Sequence, residues 1–300
     1  MNGRRIAALV VLLALIAGAT GIVVHAKSAP KVSGLPVVAA ENFWGNIAEQ
    51  LGGPYVHVTS IITNPNADPH LYESDAQDAT DVSAAKVVIV NGVGYDDFMG
   101  KLLGTTNNTG RQVITAQQVL DIADGGNPHL WYNIPEVPEV ASKITAAYIA
   151  EDPAHKVAYQ HYLATFSQSL LPLLQTINHI RQQYGGTPVA YTEPVPGYLL
   201  EDAGLSVKTP EGFAKSIEDG DDPSPADTST MNALMTSKAI KVLLYNSQTV
   251  SPVTQHVESL AKQAGIPVIG VTETLPANET YQSWQANQLR ELQNALAATK

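Results

Sequence analysis

From residue 35 onward, short runs of aliphatic and β-branched residues alternate with stretches whose apolar positions recur at helical spacing. Residues 35–40, 56–63, 86–90 and 112–115 predict strands, and residues 43–51, 75–85 and 96–103 predict helices, the first closed by Gly52-Gly53. The strand runs are apolar almost throughout. That is the pattern of a parallel sheet covered on both faces. Residues 153–184 break the rhythm. Tyr159, Tyr162, Leu163, Phe166, Leu170, Leu173, Leu174 and Ile177 lie at helical spacing, which predicts one long helix of about 48 Å that Pro172 can kink. After Gly185-Gly186 the alternation resumes, with strands over 188–192, 242–245 and 267–271 and helices over 197–202, 226–236, 253–264 and 281–297. The predicted class is α/β, with two doubly wound lobes joined by one long interlobe helix. The N-terminal lobe spans 35–152, the linking helix 153–184 and the C-terminal lobe 185–300. A ligand of such a chain belongs in the cleft between the lobes, beyond the carboxyl ends of the strands.

The amino terminus adds an address. Arg4 and Arg5 precede an apolar run over residues 6–24, and small residues flank His25. This is a secretory signal peptide over residues 1–26, or an uncleaved anchor, since the run is just long enough to cross a bilayer. Either reading exports the rest of the chain. A formal net charge of −11 argues against nucleic acid as a partner, because nucleic acid demands basic surfaces. The absence of cysteine removes disulfides, thiolate metal sites, cysteine nucleophiles and a lipid-bearing cysteine together. Any metal site must therefore use nitrogen and oxygen donors.

Of the eight histidines, His25 falls in the leader, and His57, His155, His161, His179 and His256 read as solvated or packed positions on a strand or helices. His70 and His129 differ. Their surroundings echo each other, Asp68-Pro69-His70-Leu71-Tyr72 against Asn127-Pro128-His129-Leu130-Trp131, and each follows a proline that stiffens the loop presenting it. Glu193 directly follows the 188–192 strand, and Glu273 closely follows the 267–271 strand. Two histidines from the first lobe and two carboxylates from the second, all facing the cleft, suit a divalent ion such as Mn²⁺, Fe²⁺ or Zn²⁺. Signatures of zinc peptidases, serine hydrolases, P-loop enzymes and dinucleotide binders are absent, and Gly92-Val93-Gly94 is a loop with no third glycine.

The chain resembles the metal-specific solute-binding proteins of bacterial ABC importers, the zinc and manganese receptor group. The likeness rests on Ala40-Glu41-Asn42-Phe43-Trp44-Gly45-Asn46-Ile47-Ala48, on the two proline–histidine motifs, on Val90-Asn91-Gly92-Val93-Gly94-Tyr95-Asp96 and on Gly220-Asp221-Asp222-Pro223-Ser224-Pro225. The resemblance implies two lobes, a stiff helix between them and one buried metal ion, held by His70, His129, Glu193 and, where the family usually has aspartate, Glu273. Glutamate in place of a third histidine, and the missing histidine-rich loop of many zinc receptors, tilt the cargo toward manganese or iron, with zinc possible. The implied partner is the transmembrane permease subunit, the implied location is the periplasm or the cell surface, and the implied state is a monomer without enzymatic activity. A metal-dependent hydrolase using the same residues, and a surface adhesion module, are the competing readings.

Overall fold

Strands that are buried on both faces need partners on both sides, and the chain provides them twice. The computed structural model describes residues 34–64, 72–106 and 108–299. In the first half, β1 (Leu35–Glu41), β2 (Val56–Ile62), β3 (Val87–Val90) and β4 (Gln112–Thr115) form a sheet in the order β2-β1-β3-β4. In the second half, β5 (Pro188–Tyr191), β6 (Ser206–Val207), β7 (Val242–Asn246) and β8 (Val268–Val271) repeat it as β6-β5-β7-β8. Every neighbouring pair is parallel. The order reverses between β1 and β3 and again between β5 and β7. Those are the places where an open parallel sheet leaves a crevice for a ligand.

The helices of the first half are α1 (Asn42–Gly52), α2 (Ala76–Ala84), α3 (Asp97–Thr105), α4 (Ala116–Val119) and α5 (Val137–Glu151). Then come α6 (Lys156–Ser169) and α7 (Leu171–Tyr184), followed by α8 (Gly197–Asp202), α9 (Glu211–Glu218), α10 (Pro225–Thr236), α11 (Pro252–Ala264) and α12 (Tyr281–Ala297). Local chemistry sets several of the boundaries. Asp75, Ser251 and Thr280 cap α2, α11 and α12 with reciprocal capping boxes, and Gly265 ends α11 at φ 72°.

The period-two alternation of each strand divides its side chains between two cores. Val37, Ala39, Val87 and Ile89 face a large central core, while Val38, Ala40, Val88 and Val90 face an outer one with Val82, Met99 and Leu102. In the second sheet Val189, Val242, Leu244 and Val271 join the same central core, and Ala190 and Leu243 join an outer core with Phe213, Met231 and Val257. The two lobes therefore share one apolar interior, to which the helices contribute Trp44, Tyr148, Phe166 and Trp284.

The rod between the sheets is present and divided. A 3₁₀ turn over Pro153–His155 leads into α6, and the chain passes through Leu170 into α7. Pro172 stands in the first turn of α7, where its missing N–H costs least. Three helices, α4, α5 and α9, and the short strand β6 were not among the expected elements. The stripe Val137, Val140, Ala141, Ile144 and Tyr148 is buried at helical spacing, so the signal for α5 was present in the sequence. The expected leader over residues 1–26 lies outside the described residues. No described helix is long and apolar enough to cross a membrane.

Candidate metal centre

Three of the four sequence-derived ligand candidates meet at the carboxyl ends of the strands. His129, Glu193 and Glu273 are each at most 1% exposed. His70 lies outside the described residues. The other described histidines are exposed or half-buried, as their sequence contexts imply.

The carboxylate half is built by the second sheet. Thr192 continues β5 by donating its N–H to the Leu244 carbonyl and accepting the Asn246 N–H on its hydroxyl, which turns the next residue, Glu193, inward. Asn246 ends β7. Its Oδ1 accepts the Gln248 N–H at 3.0 Å, so its amide nitrogen must face the other way. That nitrogen donates to Glu193 Oε2 at 2.5 Å and to Glu273 Oε1 at 2.6 Å. One NH₂ group thus holds both carboxylates. Gln248 Oε1 takes the N–H groups of Glu273 and Thr274, which fixes the backbone of the Glu273 loop.

The histidine half comes from the first sheet. Asn91 directly follows β3, at the place where Asn246 ends β7. It donates to the Pro128 carbonyl at 2.8 Å and accepts from Trp44 Nε1 at 3.1 Å, and so seats the loop that carries His129. Asn127 Oδ1 accepts from His129 Nδ1 at 2.7 Å. An amide oxygen carries no proton, so the proton of a neutral His129 is on Nδ1 and the lone pair is on Nε2. His129 Nε2 stands 3.7 Å from Glu273 Oε2, and Nδ1 stands 3.9 Å from Glu218 Oε1.

The lobes are tied together around this point. Tyr95 donates its hydroxyl to Glu273 Oε2 at 3.0 Å, Tyr132 to the Thr272 carbonyl at 2.8 Å, and Asn42 exchanges two hydrogen bonds with the backbone of Leu275. Glu273 belongs by sequence to the second lobe, yet the first lobe fastens its loop on both sides. Tyr95 reaches it from a turn in which Gly92, Val93 and Gly94 all have positive φ, at 85°, 57° and 80°. Positive φ is costly for a β-branched residue. Gln117 accepts the Val93 N–H, and Asp96 accepts the N–H groups of Asn91 and Gly92, which holds the turn in place. A cleft of about 360 Å³ leads inward from the surface past Tyr95, Pro128, Tyr191, Pro194, Glu211 and Glu218.

Behind the site, Glu41 and Asp96 form a second buried acidic pair. Burial pushes Asp96 up to about 6 against the backbone N–H groups that favour its charge. Burial, then the neighbouring Asp96 charge, pushes Glu41 well above the usual carboxyl range. An acid whose value is raised on folding binds its proton more tightly in the folded state. The stability this contributes is complete below the unfolded value and is lost as pH rises through the folded one. For Asp96 that window runs from about 4 to about 6 and is worth roughly 3 kcal/mol. Glu41→Gln removes one of the two charges, so its melting temperature should fall less than that of the wild type between pH 4.5 and pH 7. An identical fall in both proteins would show that the pair is not the source.

Reading the sequence missed Asn246, Asn127, Tyr95 and Glu218. One signal for Asn246 was there. Lys86-Val87-Val88-Ile89-Val90-Asn91 and Lys241-Val242-Leu243-Leu244-Tyr245-Asn246 are the same pattern, a lysine, an apolar strand and a terminal asparagine. Among the described residues, no three or more His, Asp or Glu side chains already stand as a complete metal-holding group. The Asn246 amide lies between the two carboxylates.

Comparison with known proteins bears on this site. The family model described as zinc-uptake complex component A, periplasmic (ZnuA), matches residues 37–295. The manganese-binding lipoprotein MntA of Bacillus subtilis is 25% identical over 242 residues, which are 77% of this chain and 77% of MntA. The structure of the periplasmic zinc binding protein TroA from Treponema pallidum matches with a TM-score of 0.75 at 17% identity, over 88% of this chain and 99% of its own. That of FpvC from Pseudomonas aeruginosa in complex with Mn²⁺ matches with a TM-score of 0.75 at 21% identity, over 89% of this chain and 100% of its own. At these identities the two structures share the fold.

Proposed function

The chain belongs to the zinc-uptake complex component A family, the extracytoplasmic metal-capturing components of ABC importers, and we propose that its cargo ion is held by His70, His129, Glu193 and Glu273. The observation that carries this reading is the facing pair His129 and Glu273. His129 Nε2 and Glu273 Oε2 stand 3.7 Å apart, too far for a hydrogen bond and close enough for one cation to join them. Two ligands about 2.1 Å from one ion, at a near-tetrahedral angle, stand about 3.4 Å apart. Glu193 lies across a single amide from Glu273, and a divalent ion satisfies buried carboxylates far better than an amide does.

Two carboxylates and two imidazoles make a donor set of mixed hardness. Glutamate where a third histidine would be softer favours manganese or iron, with zinc as the alternative. Among the matched proteins, MntA and FpvC bind manganese and TroA binds zinc. The site is enclosed, because Tyr95, Asn246 and Asn127 occupy its surroundings. Enclosure suits capture better than the open coordination position a metal-dependent hydrolase needs. The receptor acts outside the cytoplasm, in the periplasm or on the cell surface, as a monomer that gives its ion to the transmembrane permease subunit.

Titration calorimetry of the metal-free protein with Mn²⁺, Fe²⁺ and Zn²⁺ tests the site. One ion per chain is expected for the wild type. His70→Ala and His129→Ala should each lose most of the affinity, and elemental analysis of protein from its native host identifies the ion. Unchanged one-to-one binding in both variants rejects this ligand set.

A further inference from the structure

Asn127 is the junction between the candidate histidine and the opposite lobe. Its Oδ1 accepts both the ring Nδ1–H of His129, at 2.7 Å, and the backbone N–H of His129, at 3.0 Å. Its Nδ2 donates at 2.8 Å to the carbonyl of Pro194, the residue after Glu193. Its own carbonyl accepts the hydroxyl of Tyr198, in α8 of the second lobe, at 2.9 Å. Gly197, which opens α8, leaves the room, since a Cβ there would come within 2.6 Å of Asn127 Nδ2. These partners fix the amide orientation. Turned over, the NH₂ group would face the His129 backbone N–H, and the oxygen would face the Pro194 carbonyl.

We propose that Asn127 is a positioning residue that sets the His129 tautomer and couples it to the seating of the second lobe. The acceptor end keeps the imidazole proton on Nδ1, which places the lone pair on Nε2, the atom directed at Glu273. The donor end is anchored only where the Pro194 carbonyl is in place, and that carbonyl adjoins Glu193. A histidine ready to coordinate and a carboxylate brought up from the other lobe are thus two results of one side chain. Aspartate at this position could accept but not donate, and serine or alanine could not span both partners. A hydrogen bond to the distal nitrogen of a coordinating histidine fixes its tautomer and ring direction, and losing it costs roughly 10- to 100-fold in metal affinity. The affinity part of the proposal rests on the reading of His129 as a ligand. The tautomer part does not.

The test separates the two. Long-range ¹⁵N–¹H correlation spectra of the metal-free protein with labelled histidine, at pH 8, report which ring nitrogen of His129 bears the proton, with the signal assigned by its disappearance in His129→Gln. The wild type should show the Nδ1–H form. Asn127→Ala should show the Nε2–H form and bind Zn²⁺, the diamagnetic probe, roughly 10- to 100-fold more weakly. Asn127→Asp should keep the Nδ1–H form yet bind Zn²⁺ more weakly than the wild type, because it lacks the donor to Pro194. This variant also serves if the alanine variant does not fold. An Nε2–H form in the wild type, an unchanged tautomer in Asn127→Ala, or wild-type affinity in Asn127→Asp would each overturn the proposal. If zinc binds the wild type without moving the His129 nitrogen shifts, the ligand reading fails, and the tautomer result is still read from the metal-free spectra.

Discussion

Glu193→Gln should abolish nearly all of the stabilisation that manganese gives this protein while leaving the metal-free fold intact. Glutamine has the shape of glutamate, and its side-chain oxygen can still accept the hydrogen bond from the Asn246 amide. It has no charge to offer a divalent ion. Losing a charged ligand from the ion itself should cost more than losing an outer partner, so an affinity loss of at least about 100-fold is expected. An ion present at 100 times its dissociation constant stabilises the folded state by about 2.7 kcal/mol, and at one dissociation constant by about 0.4 kcal/mol. For a chain of this size the first figure corresponds to about 5–10 °C in melting temperature and the second to about 1 °C. Thermal melts of wild type and variant, with and without Mn²⁺ at one fixed concentration, measure the difference directly. Equal shifts in the two proteins would remove Glu193 from the ligand set. A lower melting temperature of the variant without metal would show instead that the carboxylate serves the fold.

Phe43→Ala should be the most damaging single truncation of the wall behind the site, at about 3–5 kcal/mol. Phe43 lies in the first turn of α1 and is fully buried. Its ring stacks on Trp131 with centroids 3.9 Å apart and an interplanar angle of 22°, and it meets Trp44 edge-on at 5.8 Å. Trp131 and Tyr95 in turn pack against the His129 ring at 5.3 Å and 5.9 Å. Removing Phe43 leaves a cavity that the rigid indoles on either side cannot close by changing rotamer, so the full transfer and cavity costs should appear. Phe43→Leu keeps most of the volume and should cost much less. Urea unfolding of the two variants, compared at unchanged slope, gives both values. A loss below about 1 kcal/mol for the alanine variant would mean that the aromatic cluster rearranges, and the rigidity inferred for the His129 seat would be wrong.

The same residues show why some of the site could be read in the sequence and some could not. Glu193 and Glu273 follow apolar runs that could only be strands, and in a parallel sheet the residue after a strand faces the crevice. The proline before His129 marked it as presented from a stiff loop. Those are local facts about neighbours in the chain. Asn127, Tyr95 and Asn246 act on partners 67, 178 and 27 residues distant, at Pro194 and at Glu273. The repeated lysine–strand–asparagine pattern marks Asn246 as a strand end, but no local pattern says which distant carboxylates its amide will hold.

The sequence by itself determined the class of the fold, the repetition of an open parallel sheet in two halves, and the nitrogen and oxygen chemistry of any metal site, since hydrophobic period, strand punctuation and the lack of cysteine are properties of the chain. Tertiary structure alone decided which face of each doubly buried strand meets the shared interior. Val37 and Val38 are alike in type, and only the packing of the two sheets sends the first to the central core and the second to the outer one. It also decided that Glu273 is fastened to the lobe it does not belong to by sequence, through Tyr95, Tyr132 and Asn42. Hydrogen bonds across a cleft depend on how two separately formed surfaces meet. That meeting is set by the summed packing of the central core, which no stretch of the chain encodes alone.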